Sequence, residues 1–255
     1  MKQISRRAFV GTGAAASLAS ATGIGAMPAS LSGRSAERRS ERSQTTVMFT
    51  GDGQSLSPLE YSQVLGSIID GRGVAPDYYS RGGVVRELEE RMAAILGKER
   101  AVFLATGTLA NHLAVRIQAR GRTRVIVQED SHLYCDSGDC AEVLSNLNLV
   151  TLARGAGTFS LEDVQNVMER AAGGRVHTGI GVISIESPIR RRAGELFDFE
   201  EMRRICDFAR EHDIATHLDG ARLFMASAYT GIAPAEFAAL FDTVYVSMWK
   251  YFNAP

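Results

Sequence analysis

The chain has 255 residues, 45% of them hydrophobic and 22% charged, with a formal net charge of −1. That length holds one large α/β domain, or one domain plus an appendage, with enough apolar content for a packed core. The first 45 residues carry seven Lys or Arg and two acids, which leaves 21 basic against 27 acidic residues in 46–255. An acidic body without a basic stripe argues against a nucleic-acid-binding surface.

The chain opens MKQISRRAFVGTGAAASLASATGIGAMPAS. Ser5-Arg6-Arg7-Ala8-Phe9 resembles the twin-arginine export motif, and a weakly apolar Ala/Gly-rich stretch follows from Val10 to about Ala26. That stretch is too short and glycine-rich for a good membrane span, so no stable membrane anchoring is expected. Small residues from Ala26 to Ala29 offer a cleavage region; the alternative is a disordered tail with a chance Arg pair. Residues 30–45 are polar and charged and read as a flexible linker. The expectation is a leader and linker over 1–45, export to the periplasm or medium, and a folded domain from 46 to 255.

In the body, VVRELEERMAAIL (84–96) places Val85, Leu88, Met92, Ile95 and Leu96 on one helical face, and Gly97 is a natural stop. AVFLA (101–105) suits a buried strand running into Thr106-Gly107-Thr108 and then a helix through Arg120. RVIVQE (124–129) predicts a second strand. Ser160 with Asp163 is a variant capping box opening a helix over 160–171. GVISIE (181–186) predicts another buried strand, and Asp198 with Glu201 caps a helix over 199–211. Ile214 to Leu218 predicts a strand ending at Asp219, and Thr243 to Met248 a last one before Lys250. Strands separated by helices imply an α/β fold with a mostly parallel sheet covered by helices on both faces.

Ligands in such sheets collect at the carboxyl ends of the strands, where the chemically able residues cluster. Thr106-Gly107-Thr108 turns a strand into a helix and suits a phosphate, although unliganded turns of this kind are at least as common. Asp219 either holds a protonated pyridine nitrogen or caps a helix and pairs with Arg222. Lys250, flanked by Trp249, Tyr251 and Phe252, is either a solvated lysine or an amine made nucleophilic by withdrawal from water. His132 either stacks on a flat ligand and shuttles protons or is a surface-loop histidine. Cys135, Cys140 and Cys206 make no disulfide framework; Cys135 and Cys140 either pair after export or, the favoured reading, stay as buried thiols. No zinc spacing is present, and no metal is expected.

Taken together these segments resemble the threonine aldolase and β-eliminating lyase family. ATGTLANHLA resembles its phosphate loop, QEDSHLY its histidine segment, HLDGARLF its most recognisable string, and SMWKYFNAP the stretch around its Schiff-base lysine. The likeness covers roughly 47–255 in the expected order. It implies pyridoxal 5'-phosphate as cofactor, attached to Lys250, with Asp219 on the ring nitrogen and Gly107 and Thr108 at the phosphate. It further implies His132 over the ring and Arg222 near the phenolic oxygen and the substrate carboxylate.

The chain departs from the family at Thr50-Gly51-Asp52, at Tyr79-Ser80-Arg81-Gly82-Gly83 and at Glu186-Ser187-Pro188-Ile189-Arg190. Trp249 stands where Ser often precedes the lysine. Members of the family continue well beyond this lysine, so the likeness also implies a missing C-terminal small domain. The expected reaction is retro-aldol cleavage of a threonine-like β-hydroxy-α-amino acid to glycine and an aldehyde, with Lys250 and His132 catalytic. The rivals are β-elimination and a non-catalytic fragment. The arginines at 190–192 either favour an acidic substrate or form a solvated charge run. The expected partners are a small-molecule amino acid and, when full length, further copies of the chain in a dimer or tetramer.

Overall fold

A computed structural model describes residues 52–53, 56–75, 78–79, 82–252 and 254. The leader, the linker, Thr50-Gly51 and Ser80-Arg81 lie outside the described residues. Five strands form one sheet: β1 (Arg124–Gln128), β2 (Asn148–Leu152), β3 (Ile180–Glu186), β4 (Ala215–Asp219) and β5 (Thr243–Tyr245). Their order is β2-β1-β3-β4-β5 and every pairing is parallel. Parallel pairing requires crossovers, and these put helices on both faces.

The helices that matter for position are α1 (Pro58–Arg72), α2 (Gly83–Leu96), α3 (Gly107–Gln118), α4 (His132–Cys135), α5 (Cys140–Ser145), α6 (Leu161–Ala172), α7 (Phe199–Glu211), α8 (Leu223–Thr230) and α9 (Pro234–Ala239). Period-two alternation along the strands sorts the core into two halves. Ile126, Ile183, Ile185 and Leu218 face one way, against Met92 of α2, Val164 of α6, Met202 and Ile205 of α7 and Phe237 of α9. Val125, Val127 and Val182 face the other way, against Val115 and Ala119 of α3 and Ala141 of α5. The residues in between on that second face are polar: Ser184 and Glu186 on β3, His217 and Asp219 on β4. They stand beneath the first turns of α3, because α3 packs across β3, β4 and β5.

The caps read from sequence form. Ser160 and Asp163 make a reciprocal capping box at α6. Asp198 accepts from the Glu201 N–H at 2.8 Å, while the Glu201 carboxylate turns away to the Leu161 N–H. Three expectations need correction. Residues 101–105 form no strand; Val102 is 73% exposed, and the Phe103 N–H donates to Glu89 Oε1 at 2.7 Å in place of a strand partner. The last strand stops at Tyr245, because only His217, Leu218 and Asp219 of β4 remain to pair with it. Cys135 is exposed, not buried, and none of the three cysteines is paired. A strand not foreseen, β2, lies at the edge beside β1.

Candidate active site

The site lies at the carboxyl ends of the strands, with the start of α3 as its roof. Thr106 caps α3: its Oγ1 accepts from the Leu109 N–H and its carbonyl from the Ala110 N–H, both at 3.1 Å. The backbone N–H groups of Gly107 and Thr108 have no partner among the described residues. Two unpaired donors at the positive end of a helix suit an anion. Gly107 has a second role, since a Cβ there would collide with the Tyr245 hydroxyl. The absence of a side chain lets the β5 phenol pack beneath the helix start.

Asp219 ends β4 and is buried. Its Oδ2 accepts from Asn111 Nδ2 at 2.5 Å and its Oδ1 from the Ala221 N–H at 3.1 Å. Burial pushes its pKa up; the Ala221 amide, Lys250, Asn111 and Arg222 oppose that. Glu186 stands opposite Asp219 in the β3–β4 register. Burial, and then the Asp219 charge, push the Glu186 carboxyl up to about 7. Its oxygens accept the backbone N–H groups of His132 at 2.5 Å and Arg190 at 3.1 Å. One carboxyl therefore holds both the loop after β1 and the loop after β3.

His132 opens α4, with Nε2 at 3.2 Å from Thr108 Oγ1. Burial lowers its pKa, with Lys250 and Arg190 adding to the effect and Glu186 and Asp136 opposing it. The ring is accordingly neutral at pH 7. Arg222 is buried and clamps Asp52, with Nε to Oδ1 at 2.9 Å and the second fork nitrogen to Oδ2 at 2.6 Å. Lys250 is half-buried beyond β5, and its amine has no hydrogen-bond or ion-pair partner among the described residues. Burial and Arg222 lower its pKa, while Asp219, Asp52 and Glu186 raise it. An unpaired amine among three carboxyls and a guanidinium is an arrangement that a soluble core would not keep for stability alone.

The structure thus brings Gly107, Thr108, His132, Asp219, Arg222 and Lys250 to one edge of the sheet. Asn111, Asp52 and Glu186 join them, and the sequence reading gave none of the three a role. The one available signal was Asn111, a polar residue on the inward face of α3, one turn after Thr108. The arginine run is spent on the chain's own acids: Arg190 and Arg191 both bind Asp136, at 2.9 and 2.7 Å, and Arg192 binds Glu195 at 3.1 Å. Those two guanidiniums hold Asp136 well below the usual carboxylate range. A cavity of about 980 Å³ opens alongside, lined by Leu88, Thr106, Gly107, Val246 and the exposed Trp249 among others. It follows the open edge of β5, so Lys250, Asp219 and His132 lie outside its walls.

The beta-eliminating lyase family model matches residues 74–255. The chain belongs to this family. As a beta-eliminating lyase family member it is 31% identical over 180 residues to the low-specificity L-threonine aldolase of Candida albicans, covering 69% of this chain and 47% of that protein. Among solved structures, a putative L-allo-threonine aldolase of Listeria monocytogenes superimposes with a TM-score of 0.66 at 30% identity, covering 79% of this chain and 55% of the other. A putative aromatic amino acid beta-eliminating lyase/threonine aldolase of Exiguobacterium gives 0.68 at 28% identity, covering 83% and 57%. The chain spans about half the length of the curated relatives it matches. The parallel sheet with helices on both faces is the fold of this family.

Proposed function

We propose that this chain carries the cofactor site of a pyridoxal-phosphate-dependent carbon–carbon lyase that cleaves a β-hydroxy-α-amino acid to glycine and an aldehyde. The observation that carries the reading is the half-buried Lys250 amine, unpaired among the described residues and set among Asp219, Asp52, Glu186 and Arg222. The residues present fit the group. It has an aldehyde, a basic ring nitrogen and a phosphate, and the site offers an amine, a buried carboxyl and, at a helix start, two N–H groups without a partner among the described residues. When bound, pyridoxal phosphate supplies an electron sink for the pair left on Cα as the Cα–Cβ bond breaks.

The chain's own residues do the rest. Lys250 Nζ would tether the cofactor, Asp219 would hold the ring nitrogen, and Gly107 and Thr108 would hold the phosphate. His132 would cover the ring and, being neutral, accept the β-hydroxyl proton at a ring nitrogen. Arg222, already forked onto Asp52, would present its remaining N–H groups to a carboxylate. The family name favours a second reading, β-elimination, which differs in its products. Export by the twin-arginine route, which Ser5–Phe9 resembles, would agree with this reading, since that route carries folded, cofactor-loaded proteins.

The test is a visible absorbance spectrum of the full-length protein with pyridoxal phosphate, borohydride reduction and peptide mapping, with Lys250→Ala as control. Label fixed on Lys250, together with glycine formed from threonine or allo-threonine, is the expected result. Label without glycine but with ammonia and a keto acid would move the assignment to β-elimination. No label on Lys250 would sink the cofactor reading.

A further inference from the structure

Four polar side chains run in single file beneath α3. His217 Nδ1 lies 2.8 Å from Thr243 Oγ1, His217 Nε2 lies 3.0 Å from Asn111 Oδ1, and Asn111 Nδ2 lies 2.5 Å from Asp219 Oδ2. Asn111 and His217 are each 1% exposed. The file crosses three elements, β5, β4 and α3, and it ends on the carboxyl assigned to the ring nitrogen. Apolar residues at 111 and 217 would fill this core at less desolvation cost, so the polar pair calls for a reason beyond packing.

The donor directions follow from chemistry. Asn111 turns its NH₂ toward Asp219 Oδ2, the direction that suits an ionised carboxylate, which only accepts. That leaves Asn111 Oδ1 as an acceptor, and His217 must supply a proton from Nε2. Complete burial keeps His217 neutral, with its pKa pushed down to about 4. A neutral imidazole protonated at Nε2 accepts at Nδ1, so the Thr243 hydroxyl donates there. Every hydrogen in the file therefore points toward Asp219. The other charged groups around that carboxyl are Glu186 on β3, Arg222 after β4 and Lys250 after β5. Glu186 opposes its ionisation, so the file acts on the same side as Lys250 and Arg222.

We propose that Asn111 and His217 are positioning residues for Asp219: the one-directional file Thr243–His217–Asn111 fixes the orientation of the carboxylate and keeps it ionised for the cofactor's ring nitrogen. This rests on the cofactor reading of the site. Both side chains are buried behind Asp219, and the proposed role acts through that carboxylate.

The first measurement needs no cofactor. Nitrogen-15 NMR of labelled histidines in the full-length protein reads the tautomer of His217 directly. A neutral, Nε2-protonated ring from pH ~5 to ~8 is expected, whereas an Nδ1-protonated or charged ring there overturns the file. The second measurement compares pyridoxal phosphate affinity, and the pH profile of its absorbance, in wild type, Asn111→Ala and His217→Gln. Asn111→Ala removes a hydrogen bond to a charged group and is expected to weaken binding ~10- to 100-fold and to shift the profile. His217→Gln, whose amide can still donate to Asn111 Oδ1, is expected to stay close to wild type on both readouts. Wild type labelled on Lys250 by borohydride, with Asn111→Ala unchanged in affinity and profile, overturns the inference alone. Wild type without label removes the cofactor reading and this inference together.

Discussion

Asp52 and Arg222 stand 170 positions apart and meet in a two-pronged ion pair, at 2.9 and 2.6 Å. Asp52 also accepts from the Tyr251 hydroxyl at 2.9 Å, and its carbonyl accepts the Tyr251 N–H at 2.5 Å. Asp52, ahead of the first described helix, thereby ties the N-terminus of α8 to the segment that follows Lys250. Burial alone would raise the Asp52 pKa, but Arg222, Tyr251 and Lys250 outweigh it and hold the carboxyl below its ordinary value.

Replacing Asp52 with Asn leaves the Arg222 charge buried without its counter-ion. Fully buried pairs cost ~3–5 kcal/mol when broken, and the partial exposure of Asp52 reduces this to about 2 kcal/mol. Urea unfolding of Asp52→Asn at pH 7 measures it. Because the folded pKa is depressed, the pair's contribution is present above the unfolded value of 3.8 and is lost as the pH falls through the folded one. Wild type and variant are therefore expected to converge in strong acid.

Gly107→Ala should fail for a reason found on β5. The added methyl meets the Tyr245 hydroxyl, and overpacking of this kind costs ~1–3 kcal/mol. The ring carbon beneath the hydroxyl is also too close, at 2.7 Å, so thermal unfolding of Gly107→Ala, Tyr245→Leu and the double variant separates the causes. The double variant should recover much of the loss, and a loss that persists in full would place the strain elsewhere.

Burial and the Asp219 charge push the Glu186 carboxyl up to about 7, from an ordinary value of 4.5. A group whose pKa is raised by folding contributes stability that is present below about 4.5 and lost as the pH rises through about 7. Glu186→Gln removes that dependence. The stability of the variant relative to wild type is therefore expected to rise between pH 4.5 and 7, by on the order of 3 kcal/mol in total. The change with pH is the readout, since the lost acceptor shifts both ends equally. A flat difference would mean that Glu186 is ionised throughout.

Alkylation should distinguish the cysteines. Cys135 is exposed, and Cys140 and Cys206 are buried. Partial desolvation of its sulfur and the nearby acids raise the Cys135 thiol, so its labelling by iodoacetamide is expected to be slow at pH 7 and faster in mild alkali. The Cys206 thiol is pushed up to about 12 by burial and should react only on unfolding. Peptide mapping after native and denatured labelling reads both.

The parts of the fold legible in the sequence were those whose signal is local. Helices α6 and α7 declare themselves by a one-sided apolar face and by the caps at Ser160 and Asp198. β3 declares itself as a mostly apolar run buried along its whole length, as a central parallel strand is. Residues 101–105 carry the same apolar signal and form no strand: they line the cavity along the open edge of β5 without pairing to it, and no local pattern encodes whether a neighbour is met. β2 was missed for the converse reason: it is an edge strand of ordinary composition, recruited by β1. At the site the separate residues stood out at strand ends. Their partners did not, because Asn111 with Asp219 and Glu186 with His132 join positions 108 and 54 residues apart.

Trp249 is the chain's single tryptophan, it is 60% exposed, and it immediately precedes Lys250. Intrinsic emission excited at the indole band therefore originates next to the amine assigned to the cofactor. A bound chromophore at that amine would drain the indole's excited state by energy transfer. Loading, stripping and exchange at Lys250 then become readable in real time from native fluorescence, without a label and without a substrate.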